Sequence, residues 1–398
     1  MVPNQTSIFR SLAERLVPER GKKAARWAFK DRYRDSVVSY RDLVDQGRAE
    51  YWSFGERRSF SFEEPDYYNN LPTEIENIIG KHKRHPPFVI EVPDVELVGY
   101  PGIKVTSSDE YLVYNYWQPG NDRSAVDFAY DAVEALSYGT WDFSRRNNVP
   151  RQYDVAVPLL KRWGTNYSHW TEECLTQIQG LEYYIQKTGE EPILLIPPNS
   201  PAFVSESLDL LGYDGQYVEW GENARAKVDR LVLPSVRRCL SGTSGDYLRE
   251  PFALEWLQNR VWSNIDSKED SKSLSKVLIS REEDADVRRI TNWEEVKSVL
   301  EGKGFETVVL SDLSFVEQKR LIKNASAIVG VHGAGLTELM YTVDASVIEL
   351  FASHFVPVYF EMANGLGSDY ACIECDPVGE DVRVDVNEVV ASLEALNI

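Results

Sequence analysis

The most informative stretch of this chain is Ala327-Ile-Val-Gly-Val-His-Gly-Ala-Gly-Leu-Thr-Glu-Leu-Met-Tyr341. It begins with an apolar run, Ala327 to Val331, whose length suits a buried strand. A turn follows at Gly333 and Gly335, and the residues after it have the pattern of a starting helix. A strand, a glycine turn and a helix N-terminus together predict an anion-binding turn, because backbone N–H groups and the helix dipole favour negative charge there.

Two polar residues accompany this turn. His332 stands at its rim, and the next apolar run, Ser346 to Phe351, carries a single carboxylate at Glu349. A carboxylate at the end of such a strand can accept hydrogen bonds from ribose hydroxyls. The alternatives are a plain strand–helix turn that uses glycine for its geometry and a strand-end charge that faces solvent.

Composition narrows the function classes. The chain has 398 residues, enough for two domains, and its 43% hydrophobic content is ordinary for globular proteins. The net charge of -20 argues against a nucleic-acid-binding surface and against general adhesion to anionic lipid, since both need basic patches. Arg outnumbers Lys, and such an acidic, Lys-poor surface would suit a high-salt cytoplasm.

The cysteines argue against a disulfide scaffold, and the lack of a membrane-spanning run and of a secretory signal predicts a cytoplasmic protein. Cys174, Cys239, Cys372 and Cys375 are too few for a disulfide scaffold, and Cys372 and Cys375 fall in a predicted strand without a second Cys/His pair, so we expect free buried thiols. The sequence contains no apolar run long enough to span a membrane. Met1 to Pro18 has no continuous apolar core of the kind that a secretory signal needs.

The first part of the chain has weaker patterns. Residues 6–30 predict a basic amphipathic helix, which either contacts the inner face of a membrane or docks on its own domain. Residues 31–80 show no period and predict irregular structure. Short strands separated by turn residues over 87–118 predict a small antiparallel sheet, a β-rich N-terminal extension, and 126–137 reads as helix.

From residue 153 strands and helices alternate, which predicts parallel sheets. A polar linker over 263–275 separates two such series. The fold class predicted is therefore α/β, with two Rossmann-like domains, over 1–245 and 246–398, that face one another across a cleft. The predicted strands are 154–160, 193–197, 216–220, 230–234, 276–280, 306–310, 327–331, 346–350 and 370–375. The predicted helices are 169–187, 203–212, 249–262, 294–302, 315–324, 335–341, 357–365 and 386–396.

Arginines follow the strand that opens the second series. Arg281 comes directly after Ile279 and Ser280, where a ligand of a parallel sheet would lie, and a guanidinium suits phosphate oxygens. Arg288 and Arg289 follow shortly. A surface Arg paired with a neighbouring carboxylate is the alternative, more so for Arg288 than for Arg281.

A second candidate site precedes the first long helix, in Trp163-Gly-Thr-Asn-Tyr-Ser-His-Trp170. His169 and Glu173 are four residues apart, which places both on one helical face. They could be a general base and its orienting carboxylate. The alternative is an ordinary helix face with a satisfied histidine.

Jointly these motifs resemble glycosyltransferase family 61, the group with the DUF563-type domain of capsular polysaccharide biosynthesis, over residues 85–380. The residues that carry the resemblance are Asn166, His169, Glu173, Ser280, Arg281, Arg289, Asn292, Phe315, Gln318, His332 to Thr337 and Val347 to Glu349. Two positions depart from the usual pattern. Glu338 stands where members often carry Asn or His, and Glu173 stands where many have Asp.

The resemblance implies a GT-B-like architecture, with an acceptor-side domain over 1–245 and a nucleotide-sugar-binding domain over 246–398. It also implies an inverting transfer of a hexose or pentose from a nucleotide-diphosphate donor, without a bound metal or other cofactor. His169 or Glu173 would be the catalytic base. Donor binding would fall to Ser280, Arg281, Arg289, Asn292, His332, Gly333, Ala334, Gly335, Leu336, Thr337 and Glu349. The acceptor would be a glycan, a polysaccharide or a lipid-linked oligosaccharide, and nucleic acid is not expected as a partner.

Other functions remain open at this point. A GT-B-like sugar-nucleotide epimerase shares the fold, and a non-catalytic carbohydrate-binding member is a third hypothesis. A nicotinamide dehydrogenase fits less well. The Gly330, Gly333 and Gly335 pattern follows the third strand of its domain, whereas a dinucleotide turn follows the first.

Overall fold

A computed structural model describes residues 26–28, 30, 32–113, 128–133, 135, 150–221, 224–240, 247–265, 273–282, 285 and 287–398. Apart from residues 26–28 and 30, the predicted basic helix 6–30 lies outside this part. So does most of the predicted linker. In the part of the chain that the structure describes, no helix combines the length and apolarity needed to span a membrane.

The strands, in chain order, are β1 (Val37–Ser39), β2 (Glu50–Ser53), β3 (Arg58–Phe62), β4 (Tyr67–Tyr68), β5 (Gly80–Arg84), β6 (Phe88–Val98), β7 (Ile103–Val105), β8 (Tyr111–Val113), β9 (Arg151–Pro158), β10 (Ile193–Ile196), β11 (Tyr217–Glu219), β12 (Arg225–Pro234), β13 (Arg238–Leu240), β14 (Tyr247–Arg249), β15 (Lys276–Ile279), β16 (Glu306–Val308), β17 (Ala327–Val331), β18 (Ser346–Phe351), β19 (Tyr370–Glu374), β20 (Asp376–Val378) and β21 (Asp381–Arg383).

The α-helices with described ends are α1 (Tyr40–Asp45), α2 (Thr73–Glu76), α3 (Tyr167–His169), α4 (Ile178–Thr188), α5 (Ala202–Leu210), α6 (Pro251–Trp262), α7 (Trp293–Gly302), α8 (Phe315–Ile322), α9 (Val358–Leu366) and α10 (Val386–Ala395). Residues 26–28, 30, 32–33, 128–133 and 135 are also helical, the latter group within the predicted helix 126–137. Short 3-10 helices cover Arg34–Ser36, Leu175–Gln177, Leu310–Asp312 and Ala334–Tyr341, and Trp170–Cys174 is a π-helical turn.

The second sheet has six parallel strands in the order β16-β15-β17-β18-β19-β4. Its first five strands follow the order 2-1-3-4-5 of a doubly wound fold, in which ligands bind where the strand order reverses, between the first and third strands. That point lies between β15 and β17. Arg281 follows β15 and His332 follows β17, so the topology brings both to the expected ligand edge.

The first sheet is mixed. Its path is β1-β8-β7-β6-β12-β9-β10-β11, with β2 paired to β6. β12, β9, β10 and β11 are parallel, and β6, β7 and β8 form an antiparallel meander. The strand order reverses between β9 and β12. The loop after β9 leads to His169, and Arg238 follows β12, so this sheet also brings polar residues to its reversal point.

Alternation along the strands divides the core into layers. Val155 and Val157 of β9 and Val277 and Ile279 of β15 belong to one continuous apolar cluster between the two sheets. The residues between them point the other way: Ala156 joins the cluster behind the first sheet, and the neighbouring cluster behind the second sheet contains Leu278 and Val329. A period of two residues is what a buried strand requires.

The predicted elements from residue 153 onward are confirmed to within a few residues at their ends, although 335–341 is a 3-10 helix. The prediction of irregular structure over 31–80 is wrong, because that segment contains β1 to β4, α1, α2 and the first residue of β5. The strands predicted over 87–118 are present as far as Val113, but they join the parallel strands in one sheet through β6 and β12. β4 pairs with β19 of the second sheet. The division into 1–245 and 246–398 stays a prediction.

Candidate functional site

A cavity of about 720 Å³ is lined by residues from both sheets. From the first sheet come the loop after β9, with Trp163 and His169, and Arg238 after β12. From the second come His332 and the glycine turn after β17, and the loop that follows β18. Parallel strands of both sheets therefore direct their carboxyl-end loops into one space, which is where ligands of such sheets bind.

Asn166 caps the helical segment that carries His169. Its side-chain oxygen accepts hydrogen bonds from the backbone N–H groups of Ser168 (3.1 Å) and His169 (3.4 Å), as an N-cap residue does. The next turn, Trp170–Cys174, is π-helical. Such turns are rare in proteins overall, but many of those that occur lie at functional sites. No pattern in the sequence indicates this wider turn.

His169 and Glu173 form a hydrogen-bonded pair. Nδ1 of His169 lies 2.7 Å from Oε1 of Glu173. Burial alone would raise the pKa of Glu173, but Arg238 at 2.6 Å, Lys161 at 2.8 Å and the His169 hydrogen bond together hold that pKa well below its usual range. Glu173 is therefore an ionised acceptor, so His169 donates through Nδ1. In the neutral ring, Nε2 then keeps its lone pair.

The floor of the cavity is a buried network of charges. Arg249 donates to Glu172 through Nε and Nη2, and its backbone N–H donates to Glu361 at 2.6 Å. Burial and these two carboxylates act oppositely on the pKa of Arg249, and the carboxylates prevail and raise it. Burial raises the pKa of Glu361, although Arg249 opposes that shift. The network ties β14 to the π-helical turn and to α9.

The glycine turn lies against Arg281. A Cβ added to Gly333 would lie 2.1 Å from Nη1 and 2.9 Å from Cζ of Arg281, so the guanidinium packs where only a glycine leaves room. At Gly335 a Cβ would meet Ile279 at 3.1 Å and Leu310 at 3.3 Å. The turn thus fits closely between the ends of β15 and β17, and it brings Arg281 next to the backbone that faces the cavity.

His332 forms a second pair with a carboxylate. Its Nδ1 is hydrogen-bonded to Oε1 of Glu349, whose other oxygen accepts a hydrogen bond from Tyr370. Burial, followed by the charge of Glu349, raises the pKa of Tyr370 well above its usual value, so this phenol donates. Glu349 has no exposed surface and lies behind His332, outside the cavity lining. It contacts the histidine, and its placement for a ribose stays a prediction.

Arg288 and His354 were not predicted as site residues, and both line the cavity. Arg288 has a left-handed backbone (φ 61°) and donates through Nη1 to the carbonyl of His332 at 2.9 Å. The rings of His354 and His332 are 5.3 Å apart. Burial, then the nearby His332 and Arg288, lowers the pKa of His354, which favours its neutral form.

Most of the other predicted donor residues do not line the cavity. Arg289 is 45% exposed and pairs with Asp381 at 3.5 Å. Asn292 bonds the backbone N–H and carbonyl of Val384 and thereby holds the start of α7. Ser280 is buried, and its hydroxyl accepts the backbone N–H of Glu282. Leu336 and Thr337 are buried in the 3-10 helix, while Ala334 lines the cavity.

Some of the missed residues had a signal in the sequence. His354 follows the strand next to the glycine-turn strand, so the carboxyl-end rule could have found it. Arg238 follows β12 at the reversal point of the first sheet, but that point depends on a pairing of β9 with β12 that no sequence pattern reveals. Arg249 had no signal, because its role depends on contacts with Glu172 and Glu361.

One cluster of described residues has the spacing of a metal site. Ligand atoms of His169, Glu172 and Glu173 all lie within 4.8 Å of one another. The carboxylates of this cluster already bind Arg249, Arg238 and Lys161. A cation would have to displace these groups, so the cluster is better suited to orient His169 than to hold a metal.

Comparisons with known proteins indicate the family that this chain resembles. Residues 167–348 match the family described as Glycosyltransferase 61. The chain is also similar to the EGF domain-specific O-linked N-acetylglucosamine transferase of Mus musculus, with 34% identity over 89 residues. That alignment covers 21% of this chain and 17% of the length of the relative. The resemblance to glycosyltransferase family 61 is thus confirmed, and the matching region, residues 167–348, contains His169, Arg281 and His332.

Proposed function

We propose that the protein is an inverting glycosyltransferase that moves a hexose or pentose from a nucleotide-diphosphate donor to a glycan acceptor. The observation that carries the proposal is the single cavity lined by His169 from the first sheet and by His332 and Gly333 from the second. All three residues lie within the region that matches glycosyltransferase family 61. In this proposal the two sheets are the GT-B-like halves, with the acceptor side at His169 and the donor side at the glycine turn.

The donor side suits a diphosphate. Arg288 lines the cavity, and Arg281 packs on Gly333 beside it. Guanidinium groups and backbone N–H groups of a glycine turn are the donors that phosphate oxygens accept best. As the bond to the sugar breaks, negative charge grows on the departing diphosphate, and donors fixed in advance stabilise it. Loss of one such donor costs about 3 kcal/mol in the barrier of comparable sites.

His169 is the proposed base in preference to Glu173. The low pKa of Glu173 makes it a weak base, and its oxygens are occupied by His169, Arg238 and Lys161. His169 is 28% exposed and lines the cavity, with Nδ1 directed to Glu173 and Nε2 left as the acceptor. A histidine so oriented can accept the proton of an acceptor hydroxyl.

The proton and electron changes balance in one displacement. The acceptor hydroxyl gives its proton to Nε2 of His169, and its oxygen bonds to the anomeric carbon. The bond from that carbon to the diphosphate oxygen breaks, and the diphosphate leaves with the electron pair. One displacement inverts the anomeric centre. The proposed displacement uses no carboxylate nucleophile, and Glu172, Glu173 and Glu361 are all held by cations.

The proposal includes no metal, since Arg281, Arg288 and the glycine-turn amides supply the charge stabilisation. The acceptor is proposed to be a glycan, either free as a polysaccharide or linked to a lipid. The proposal also includes a cytoplasmic location and peripheral membrane contact through residues 6–30.

The decisive experiment is a donor screen with the full-length protein. UDP, GDP and TDP sugars are tested first by thermal shift in the presence of EDTA, then by turnover with a panel of oligosaccharide acceptors. A donor at a hundredfold excess over its dissociation constant should raise the stability by about 2.7 kcal/mol. Proton NMR of the product should show the anomeric configuration opposite to that of the donor.

Variants of His169 and Glu173 test which residue is the base. His169→Ala should abolish transfer while the donor still shifts the melting temperature, because the donor side is intact. Glu173→Gln should lower kcat less than His169→Ala does. If both variants keep near-normal turnover with donor and acceptor saturating, the base assignment is wrong. If a nucleotide sugar is isomerised without an acceptor, the protein is an epimerase instead.

A further inference from the structure

We infer that Trp163 is the platform on which a sugar ring of the acceptor stacks, so that the acceptor is recognised as a carbohydrate directly beside the base. This inference rests on the proposed function and goes beyond it, because it names the group that the acceptor must present. Trp163 lies in the loop between β9 and α3, lines the cavity and is 47% exposed.

The indole lies beside the proposed base. The ring centroids of Trp163 and His169 are 5.1 Å apart, with a tilt of 39° between the planes. A ligand that contacts the open part of the indole therefore lies within reach of Nε2 of His169. The donor side, by contrast, is formed by residues of the second sheet. This position favours the acceptor over the nucleobase of the donor as the group that meets Trp163.

The loop holds the indole in place at a cost. Trp163 has a left-handed backbone (φ 62°). This conformation is uncommon for a bulky residue, which on its own populates it roughly tenfold less than the right-handed one. Two backbone hydrogen bonds fix the loop: Gly164 N–H to the carbonyl of Lys161 at 2.9 Å, and Asn166 N–H to the carbonyl of Trp163 at 2.8 Å. Strain of this kind collects at ligand-binding sites, where the surrounding structure maintains it.

Arg162 supports the ring from one side. Its Cζ lies 4.0 Å from the centroid of the indole, a cation–π contact that orders the ring and still leaves nearly half of it open. An ordered aromatic side chain loses little entropy when a ligand stacks on it. The open aromatic surface thus has the rigidity of a binding platform.

The chemistry of the match is specific. A pyranose has one face rich in C–H bonds, while its hydroxyls point outward. The face of an indole carries the negative part of its quadrupole, so it attracts those weakly positive hydrogens and shields them from water. The cavity around Trp163 supplies polar partners for the hydroxyls, including Asn166 and Glu74. A serine or threonine of a plain peptide offers no such face.

The test compares Trp163→Ala and Trp163→Phe with the unchanged protein. Methyl pyranosides, which contain no aromatic group, are used as probes in saturation-transfer NMR. We expect saturation of the C–H face in the wild type, a weaker signal in Trp163→Phe and none in Trp163→Ala. With a transferring donor from the screen above, Trp163→Ala should lower acceptor kcat/KM by about tenfold or more and leave donor KM unchanged.

The control is Trp27→Ala, because Trp27 is also exposed (71%) but does not line the cavity. It should behave as the wild type in both measurements, and circular dichroism checks that every variant is folded. The inference is overturned if Trp163→Ala keeps its acceptor KM, or if donor KM rises instead, which would assign the indole to the nucleotide. If the wild type neither binds nor uses any nucleotide sugar, the proposed function fails, and the methyl pyranoside signal still tests Trp163 by itself.

Discussion

Nζ of Lys319 lies 2.6 Å from Oε1 of Glu338, and neither side chain has any exposed surface. Lys319 also donates to the hydroxyl of Tyr167 and lies 4.0 Å from the ring centroid of Phe315. Burial lowers the pKa of Lys319, and the charge of Glu338 opposes that shift. The cluster connects α8, the 3-10 helix after the glycine turn and the first residue of α3. It therefore sets the position of the His169 segment relative to the glycine turn.

Removing one partner of this pair should destabilise the protein strongly. Glu338→Gln leaves the charge of Lys319 buried without a counter-charge, and Lys319→Met does the same to Glu338. Each change should lower the free energy of unfolding by about 3–5 kcal/mol. Equilibrium unfolding in urea measures the loss. The double variant Lys319→Met/Glu338→Gln should lose less than the sum of the single changes, because no lone charge remains.

A surface pair provides the control. Lys297 and Glu301 are 3.8 Å apart on α7, with side chains 34% and 51% exposed. Lys297→Met should change the free energy of unfolding by no more than about 0.5 kcal/mol. Equal losses for Lys297→Met and Lys319→Met would contradict the importance of burial for the Lys319 pair.

Gly333→Ala should weaken donor binding without unfolding the protein. The new Cβ would lie 2.1 Å from Nη1 of Arg281, which is the end of a flexible side chain, so the guanidinium moves and the backbone stays. Loss of a hydrogen bond to a charged group costs about 1.5–3 kcal/mol, or roughly ten- to a hundredfold in donor affinity. Isothermal titration with the donor measures this change.

Gly302→Ala is the matched control for that substitution. A Cβ at Gly302 meets nothing within 4 Å, and the residue ends α7 far from the turn. It should leave donor affinity unchanged and add up to about 1 kcal/mol of stability, as Gly-to-Ala changes in helices do. If Gly333→Ala binds donor as well as Gly302→Ala does, Arg281 has no part in binding.

Sequence patterns predicted β15 to β19 of the second sheet well because these strands lie in short, mainly apolar runs between helices. The same reasoning failed over 31–80, where strands of two to five residues obtain their hydrogen bonds from partners far along the chain. β4, for example, is defined by its pairing with β19. Such strands need no internal apolar pattern, so periodicity cannot detect them.

The candidate site shows the same limit at the level of single residues. The motifs identified His332 and Arg281, which follow the ends of β17 and β15, and His169, which lies beyond the loop after β9. They could not tell which of Arg288 and Arg289 faces the cavity, because that depends on the left-handed backbone at Arg288 and on the bonds from Arg289 to Asp381. Neighbouring residues of one type differ through tertiary contacts, which a single sequence does not contain.

The two neighbouring arginines can be separated by experiment. Arg288→Ala removes a guanidinium from the cavity and should raise the dissociation constant of the donor roughly ten- to a hundredfold. Arg289→Ala removes an exposed ion pair with Asp381 and should change donor affinity by less than about threefold. Titration of both variants with one donor, in one buffer, makes the comparison. A larger effect of Arg289→Ala would restore the prediction made from the motif and remove Arg288 from the site.

Glu173 should make the free energy of unfolding depend on pH. Its pKa is lowered from the usual 4.5 by Arg238, Lys161 and His169, which together outweigh burial. Below pH 4.5 the unfolded chain binds a proton at this position while the native protein does not, so stability falls as the pH falls toward the lowered native pKa. A single group contributes up to about 1.4 kcal/mol per pH unit in this window.

Urea unfolding between pH 3 and pH 6 measures that slope in the wild type, in Glu173→Gln and in Lys161→Met. Glu173→Gln is less stable at pH 6, because Arg238 and Lys161 lose their counter-charge, but its curve should be flatter below pH 4.5. Lys161→Met keeps the carboxylate and removes one of the charges that lower its pKa, so its slope should end at a higher pH than in the wild type. Identical slopes in the three proteins would mean that Glu173 does not remain ionised in the folded protein, and the carboxylate could then not fix His169 as a proton acceptor.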